Sequence, residues 1–244
     1  MIKKLSLLLV IGILLSGCQP AELNPLPAIN LPVRVALTPA NSYLAQAVNQ
    51  CSLDFPDLPV TVDVSPLPSI QTSAYDLIVT SGEGVTDWQY QLAQEELKFV
   101  INPQNPLDHL SRDQIISMLA GFTTSWQDVS ADIPADVSAD IIQVYLFPQA
   151  DDVTLLLRNE LPEDVTFNIR TRYLPGAAEI TAAVSENKAA IGILPSRWLT
   201  GSVKPVATDV EISYPLVMST QKEPAGSLRD LMGCIQSTIV GSAE

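Results

Sequence analysis

The sequence predicts an α/β fold with largely parallel sheets, on two observations. Short strand-like segments alternate along the chain with segments whose apolar residues recur at helical spacing. Two of the strand-like segments, YDLIVTSG (75–82) and AAIGILP (189–195), are nearly continuous apolar runs, as strands covered on both faces are.

Residues 1–17 stand apart from this pattern. Lys3 and Lys4 make a charged start, Leu5 to Leu15 an apolar run, and Leu15-Ser16-Gly17 leads into Cys18. The run is about eleven residues, short of the roughly twenty that a membrane-spanning helix needs. This arrangement resembles the signal peptide and lipobox of bacterial lipoproteins, which implies cleavage before Cys18 and acylation of that cysteine; an ordinary signal peptide with a chance cysteine is the alternative. Two or three acyl chains anchor a protein stably where one holds it marginally. The expected location is extracytoplasmic, lipid-anchored to the cell membrane. Residues 18–30, with Pro20, Pro25 and Pro27 and no periodicity, read as a spacer between lipid and domain.

The fold is expected from about Leu31 onward, long enough for one large domain or two lobes. The formal charge is −14, and removing residues 1–17 takes away two lysines and no acids, giving −16. Phosphate backbones would be repelled over most of such a surface, so nucleic acid is not an expected partner. Besides Cys18 only Cys51 and Cys234 remain, either bridged, as an oxidising compartment favours, or two separate buried thiols. His109, the single histidine, stands beside Asp108 in a polar turn and reads as a solvated residue.

In order, VRVALT (33–38) alternates as a strand, and Leu44, Ala47, Val48 and Cys51 follow at helical spacing. VTVDVSP (60–66) and the 75–82 run complete a βαβ opening. LKFVINP (97–103) is the next strand. Ser111 with Gln114 forms a capping box before Ile115, Ile116 and Leu119, and Gly121 stands where a left-handed C-cap belongs. IIQVYLF (141–147) is a strand, 153–161 a short helix, and TFNIRTRYL (166–174) a strand. Ala177 to Asn187 is helical through Ile180, Ala183 and Val184, and AAIGILP follows as a strand. YPLVMST (214–220) is the last strand, and Leu228, Leu231, Met232, Ile235 and Ile239 make the stripe of a terminal helix.

FVINPQNPLDHLSRDQIISMLAGFTTSWQDV (99–129) resembles the central segment of the phosphate-binding proteins of ABC transporters. AAVSENKAAIGILP (182–195) and YPLVMSTQKEP (214–224) are similar to that family's later helix and strands. The resemblance implies a two-lobed type II periplasmic binding protein fold, each lobe a mostly parallel sheet flanked by helices. Lobe 1 is then 31–98 plus 202–244, and lobe 2 is 99–201. Cys51 and Cys234 fall in one lobe, which the resemblance turns into an expected disulfide. Trp126 is expected as a packing anchor. The implied role is to bind a small solute, phosphate or another, between the lobes and to deliver it, as a monomer, to an ABC permease.

A solute in such a cleft is held by strand-end polar groups and by free amides at helix starts. TPANSY (38–43) offers Thr38, Asn41 and Ser42, whose alternative role is N-capping. TSGEG (80–84) offers Thr80, Ser81 and the Gly82 backbone, with Glu83 as an unwelcome charge unless it faces away. In FPQADDVT (147–154) the sequence departs from the family: Asp151, Asp152, Val153 and Thr154 stand where the family carries Ser-Gly-Thr and then Arg. A carboxylate about 5 Å from a doubly charged phosphate costs roughly 6–7 kcal/mol at an effective dielectric near 20. A cation, an amine or a neutral polar solute fits such acids better, unless one of them merely caps the helix.

An enzyme is not expected. The chain has no Gly-x-Ser-x-Gly elbow, a single histidine, and no complete dinucleotide fingerprint in GEGVTD (82–87). No metal or cofactor is expected. The alternative to a transport receptor is a degenerate binding-protein-like lipoprotein with a sensory or structural role.

Overall fold

The computed structural model describes residues 31–138 and 140–241. The expected export leader, Cys18 and the spacer lie outside them. The described residues form one compact unit.

Strand β1 (Val33–Leu37) leads through a short turn into helix α1 (Leu44–Ser52), which buries Leu44, Ala47, Val48 and Cys51. β2 (Val60–Val64) and β3 (Leu77–Ser81) pair in parallel on either side of β1. β4 then runs unbroken from Trp88 to Ile101. After it come β5 (His109–Leu110), α2 (Arg112–Ala120), α3 (Trp126–Val129), α4 (Ala135–Ser138), β6 (Gln143–Leu146) and α5 (Asp152–Asn159). The chain continues through β7 (Arg172–Tyr173), α6 (Ala177–Glu186), β8 (Ala190–Pro195), β9 (Lys204–Pro205), β10 (Ala207–Thr208), β11 (Ile212–Thr220) and α7 (Ser227–Gly241).

The main sheet has the order β2-β1-β3-β11-β4-β8-β6-β7, with β9 also on β4; β10 and β5 pair separately. Its two ends are parallel, while its middle, β3-β11-β4-β8, is antiparallel. β4 is the common member: its first part pairs with β11 and its last with β8. Hydrophobic packing follows the same division. A first core gathers Val35, Leu37, Leu44, Leu77, Val79, Leu216, Leu231 and Ile235. A second gathers Phe99, Ile115, Trp126, Leu146, Phe147, Val153, Ile180 and Ile193. Each large side chain moved fully into such a core contributes about 1.5–3 kcal/mol. Val203, Val206, Val210 and Ile212 pack in the second core, so the return crossing between cores falls within β11.

Two strands differ from the sequence expectation. β4 begins at Trp88, not near Leu97, because residues 88–96 are held by backbone pairing with β11 while most of their side chains face water. Residues 166–174 yield only the two-residue edge strand β7. There Asn168 donates its backbone N–H to Leu119 O at 2.8 Å and accepts from Arg170 N–H, which turns the chain away from the sheet and leaves Ile169 exposed.

The caps of α2 are as expected. Ser111 Oγ accepts from Gln114 N–H, and Gln114 Oε1 accepts from Ser111 N–H. Gly121 closes the helix at φ 82°, where a side chain would also collide with Asn168. Trp126, fully buried in the second core, is the packing anchor that the sequence suggests. Cys51 and Cys234 are bridged, tying α1 to α7 with Cα atoms 5.8 Å apart. His109 lies in β5 rather than a turn, exposed, with Nε2 3.0 Å from Asp209 Oδ1.

Candidate functional site

The carboxyl ends of β1, β3 and β6 bring three loops together. Thr38 follows β1, Ser81 ends β3, and α5 begins after the loop from β6 with Asp151 as N-cap and Asp152 as first residue. Strand ends and a helix start converge in this way wherever parallel sheets hold a ligand.

Asp152 lies at the meeting point and is 3 % exposed. Its Oδ2 accepts from Thr38 Oγ1 at 2.7 Å and from the backbone N–H of Ser81 at 2.6 Å. Its Oδ1 accepts from Val153 N–H at 2.8 Å. Asn41 secures the donors from behind, its Nδ2 donating to Thr38 Oγ1 at 2.8 Å and to Ser81 Oγ at 3.0 Å. Thr38 thus makes no capping bond for the turn that follows it and spends its hydroxyl on Asp152. The donors belong to elements of the first core and the acceptor to an element of the second, so one carboxylate joins the two.

Asp151 plays the capping role, with Oδ1 accepting from Val153 N–H at 3.1 Å. Its Oδ2 is buried and accepts no hydrogen bond of good geometry among the described residues, while Asp152 and the Ala40 backbone stand beside its carboxyl. Burial first, and then the charge of Asp152, push the Asp151 carboxyl up to about 9. Burial also pushes Asp152 up, opposed by Ser81, Thr38, Asp151 and Val153, all of which favour its charged form. The raised Asp151 carboxyl holds a proton at neutral pH, and the donors gathered on Asp152 favour its carboxylate form. A proton on Asp151 gives its otherwise orphaned oxygen a role as a donor.

The remaining sequence candidates divide. Thr80 is buried and donates to Glu83 O at 2.9 Å, fixing the turn after β3. Gly82, at φ 90°, donates its N–H to Pro215 O. Thr154 is buried and donates to Phe147 O, so it serves its own loop. Ser42 is half-buried one residue beyond the cluster. Glu83 is exposed. Thr38, Asn41, Ser81, Asp151 and Asp152 are brought together.

Three further residues complete the surroundings. Tyr214 of β11 is 2 % exposed, and burial, with the charges of Glu95, Tyr43 and Asp152, pushes its phenol far up, so it stays neutral. Glu95, directly across from Tyr214 in register, is 5 % exposed and takes Arg197 at 2.6 Å. Next to Arg197, Trp198 Nε1 donates to Ala40 O at 3.2 Å, a bond between the segment after β8 and the loop after β1. Glu95 lies in the polar-looking half of β4, and Tyr214 reads as an ordinary strand tyrosine; an acid at an inward strand position was the available signal for the first. Among the described residues no group of His, Cys, Asp or Glu is arranged to hold a metal ion.

This is the two-lobed type II periplasmic binding protein fold. No family model matches the sequence, and no curated protein matches it closely in sequence. Solved structures match widely. A protein from Clostridium perfringens with bound phosphate, assigned as a phosphate ABC transporter substrate-binding protein, gives a TM-score of 0.72 at 16% identity over 87% of this chain and 97% of that one. An ABC-type phosphate transport receptor from Vibrio cholerae gives 0.63 at 14% identity over 86% and 96%. The regulatory domain of CcmR from Synechocystis, in complex with 2-PG, gives 0.61 at 11% identity over 85% and 96%. The fold is shared with transport receptors and with regulatory domains alike.

Proposed function

We propose that the protein is an extracytoplasmic solute-binding protein, lipid-anchored through Cys18, that takes a small solute between its two lobes and presents it to an ABC permease. The observation that carries this is the convergence of Thr38, Asn41, Ser81 N–H and the start of α5 on one buried point between two cores. The export pattern of residues 1–18 supports the location, and among the described residues no helix is long and apolar enough to cross a membrane. The acids argue for a cationic or neutral polar solute over phosphate, because phosphate would have to enter beside Asp152 against its charge.

The test is thermal melting of residues 31–244 with phosphate, sulfate, molybdate, amino acids and polyamines. At one hundred times its dissociation constant a solute stabilises by about 2.7 kcal/mol, a rise of several degrees for a domain this size. A saturable rise with an amine or a neutral solute is the expected result, and a flat response to the whole panel overturns the proposal. One observation favours a second reading, a sensory or structural lipoprotein that carries no solute: the cleft donors are already engaged by Asp152. A flat panel is its expected outcome.

A further inference from the structure

We propose that Asp152 is an intramolecular ligand: its carboxylate takes the place of an oxyanion in the cleft and latches the two lobes shut in the absence of solute. The inference rests on the two-lobe binding-protein reading. It concerns how the cleft is regulated.

Three observations carry it. The carboxylate meets its donors as a bound anion would, with a hydroxyl and a backbone amide from the strand ends of one lobe on Oδ2, and an amide at a helix start of the other on Oδ1. Asn41 Nδ2 ties the Thr38 and Ser81 hydroxyl oxygens together, and without Asp152 the Thr38 hydroxyl proton and the Ser81 amide would lose their buried acceptor. The closed arrangement is also complete, since Thr38, Asn41, Ser81, Asp151 and Asp152 are all at most 5 % exposed. Ala40 packs into the core of the opposite lobe and accepts from Trp198.

A protein built this way is closed at rest. Any solute that enters must first move Asp152 off Thr38 and Ser81. An oxyanion cannot do so by offering the acceptors that Asp152 already supplies; a solute bearing a cation can, by pairing with the released carboxylate. Vacating the position should create the oxyanion site that the carboxylate fills.

The experiment uses residues 31–244, which carry both cores and the disulfide, as wild type, Asp152→Ser and Asp152→Asn. Small-angle X-ray scattering without solute reads lobe closure, and isothermal calorimetry with inorganic phosphate and sulfate reads the vacated site. The wild type is expected to be compact and to bind neither anion. Asp152→Ser is expected to show a larger radius of gyration, and to bind sulfate or phosphate at least tenfold more tightly than wild type while closing again as it does so. Asp152→Asn, which keeps the volume and loses the charge, is expected to open without gaining the full anion affinity. An open wild type, or a wild type that binds phosphate saturably, overturns the latch while leaving the solute-binding proposal standing. Folded variants that stay as compact as wild type and bind no anion also overturn it. Should both variants fail to fold, the wild-type scattering and titration still decide. Failure of the solute-binding proposal has a different signature, a compact wild type that responds to nothing in the wider panel.

Discussion

Stability should fall as pH rises from 6 to 8, and Asp151→Asn should abolish the fall. Burial and the neighbouring charge of Asp152 raise the Asp151 carboxyl to about 9, far above the ordinary value near 3.9 that applies in the unfolded chain. Between those values the folded state holds a proton that the unfolded state has released. A raised folded value means that the contribution is complete below about pH 4 and is lost progressively until the pH passes about 9. Within that window one extra bound proton gives a slope of about 1.4 kcal/mol per pH unit, hence about 2.7 kcal/mol between pH 6 and 8. Equilibrium urea unfolding at three pH values reads this as a midpoint falling by on the order of 1 M. Asparagine has the shape of the protonated acid and keeps an acceptor for Val153 N–H. The variant should match wild type near pH 4 within about 1 kcal/mol, exceed it by about 3 kcal/mol at pH 6 and by more at pH 8, and show a flatter profile, other titrating groups being common to both. Identical slopes for the two proteins, or a wild type whose stability rises across this range, would refute the assignment of the proton to Asp151.

The Cys51–Cys234 bridge closes a loop of 183 residues and is worth about 5 kcal/mol in the chain-entropy model; thermal melting of Cys51→Ala/Cys234→Ala should show a midpoint at least about 10 °C lower. Ser111→Ala removes one half of the capping box on α2 and should cost about 1 kcal/mol in chemical denaturation, with no effect on solute response. Glu95→Gln leaves Arg197 without its charged partner in a half-buried place beside Tyr43 and should cost about 3 kcal/mol. Because Arg197 and Trp198 sit next to each other against the loop after β1, the same variant should loosen lobe closure, read as faster hydrogen exchange at residues 38–43. Protection unchanged from wild type would place that pair outside the closure.

Local rules were enough for much of this molecule. The capping box at Ser111 and Gln114, the left-handed Gly121, the buried runs 75–82 and 189–195 and the stripe of α7 each depend on neighbours within a few residues, so the alphabet of the sequence carries them. Propensity failed where the deciding partner is remote. Residues 88–96 carry no strand pattern of their own and become strand because β11 supplies a backbone ladder, while 166–174 look like a strand and lose it to a turn at Asn168 that docks on Leu119.

At the site the sequence determined which chemistry is present, and the tertiary structure decided what it does. Two adjacent aspartates before a helix announce both a cap and an unwelcome charge in an anion cleft, and one residue type cannot say which applies. The fold assigns one role to each. Asp151 turns onto its own helix and keeps a proton, while Asp152 reaches across 114 residues of sequence to Thr38 and 71 to Ser81. The physical reason is that the ionisation and partners of a buried carboxyl depend on the donors surrounding it in space, and these come from strands whose order in the sheet no local pattern records.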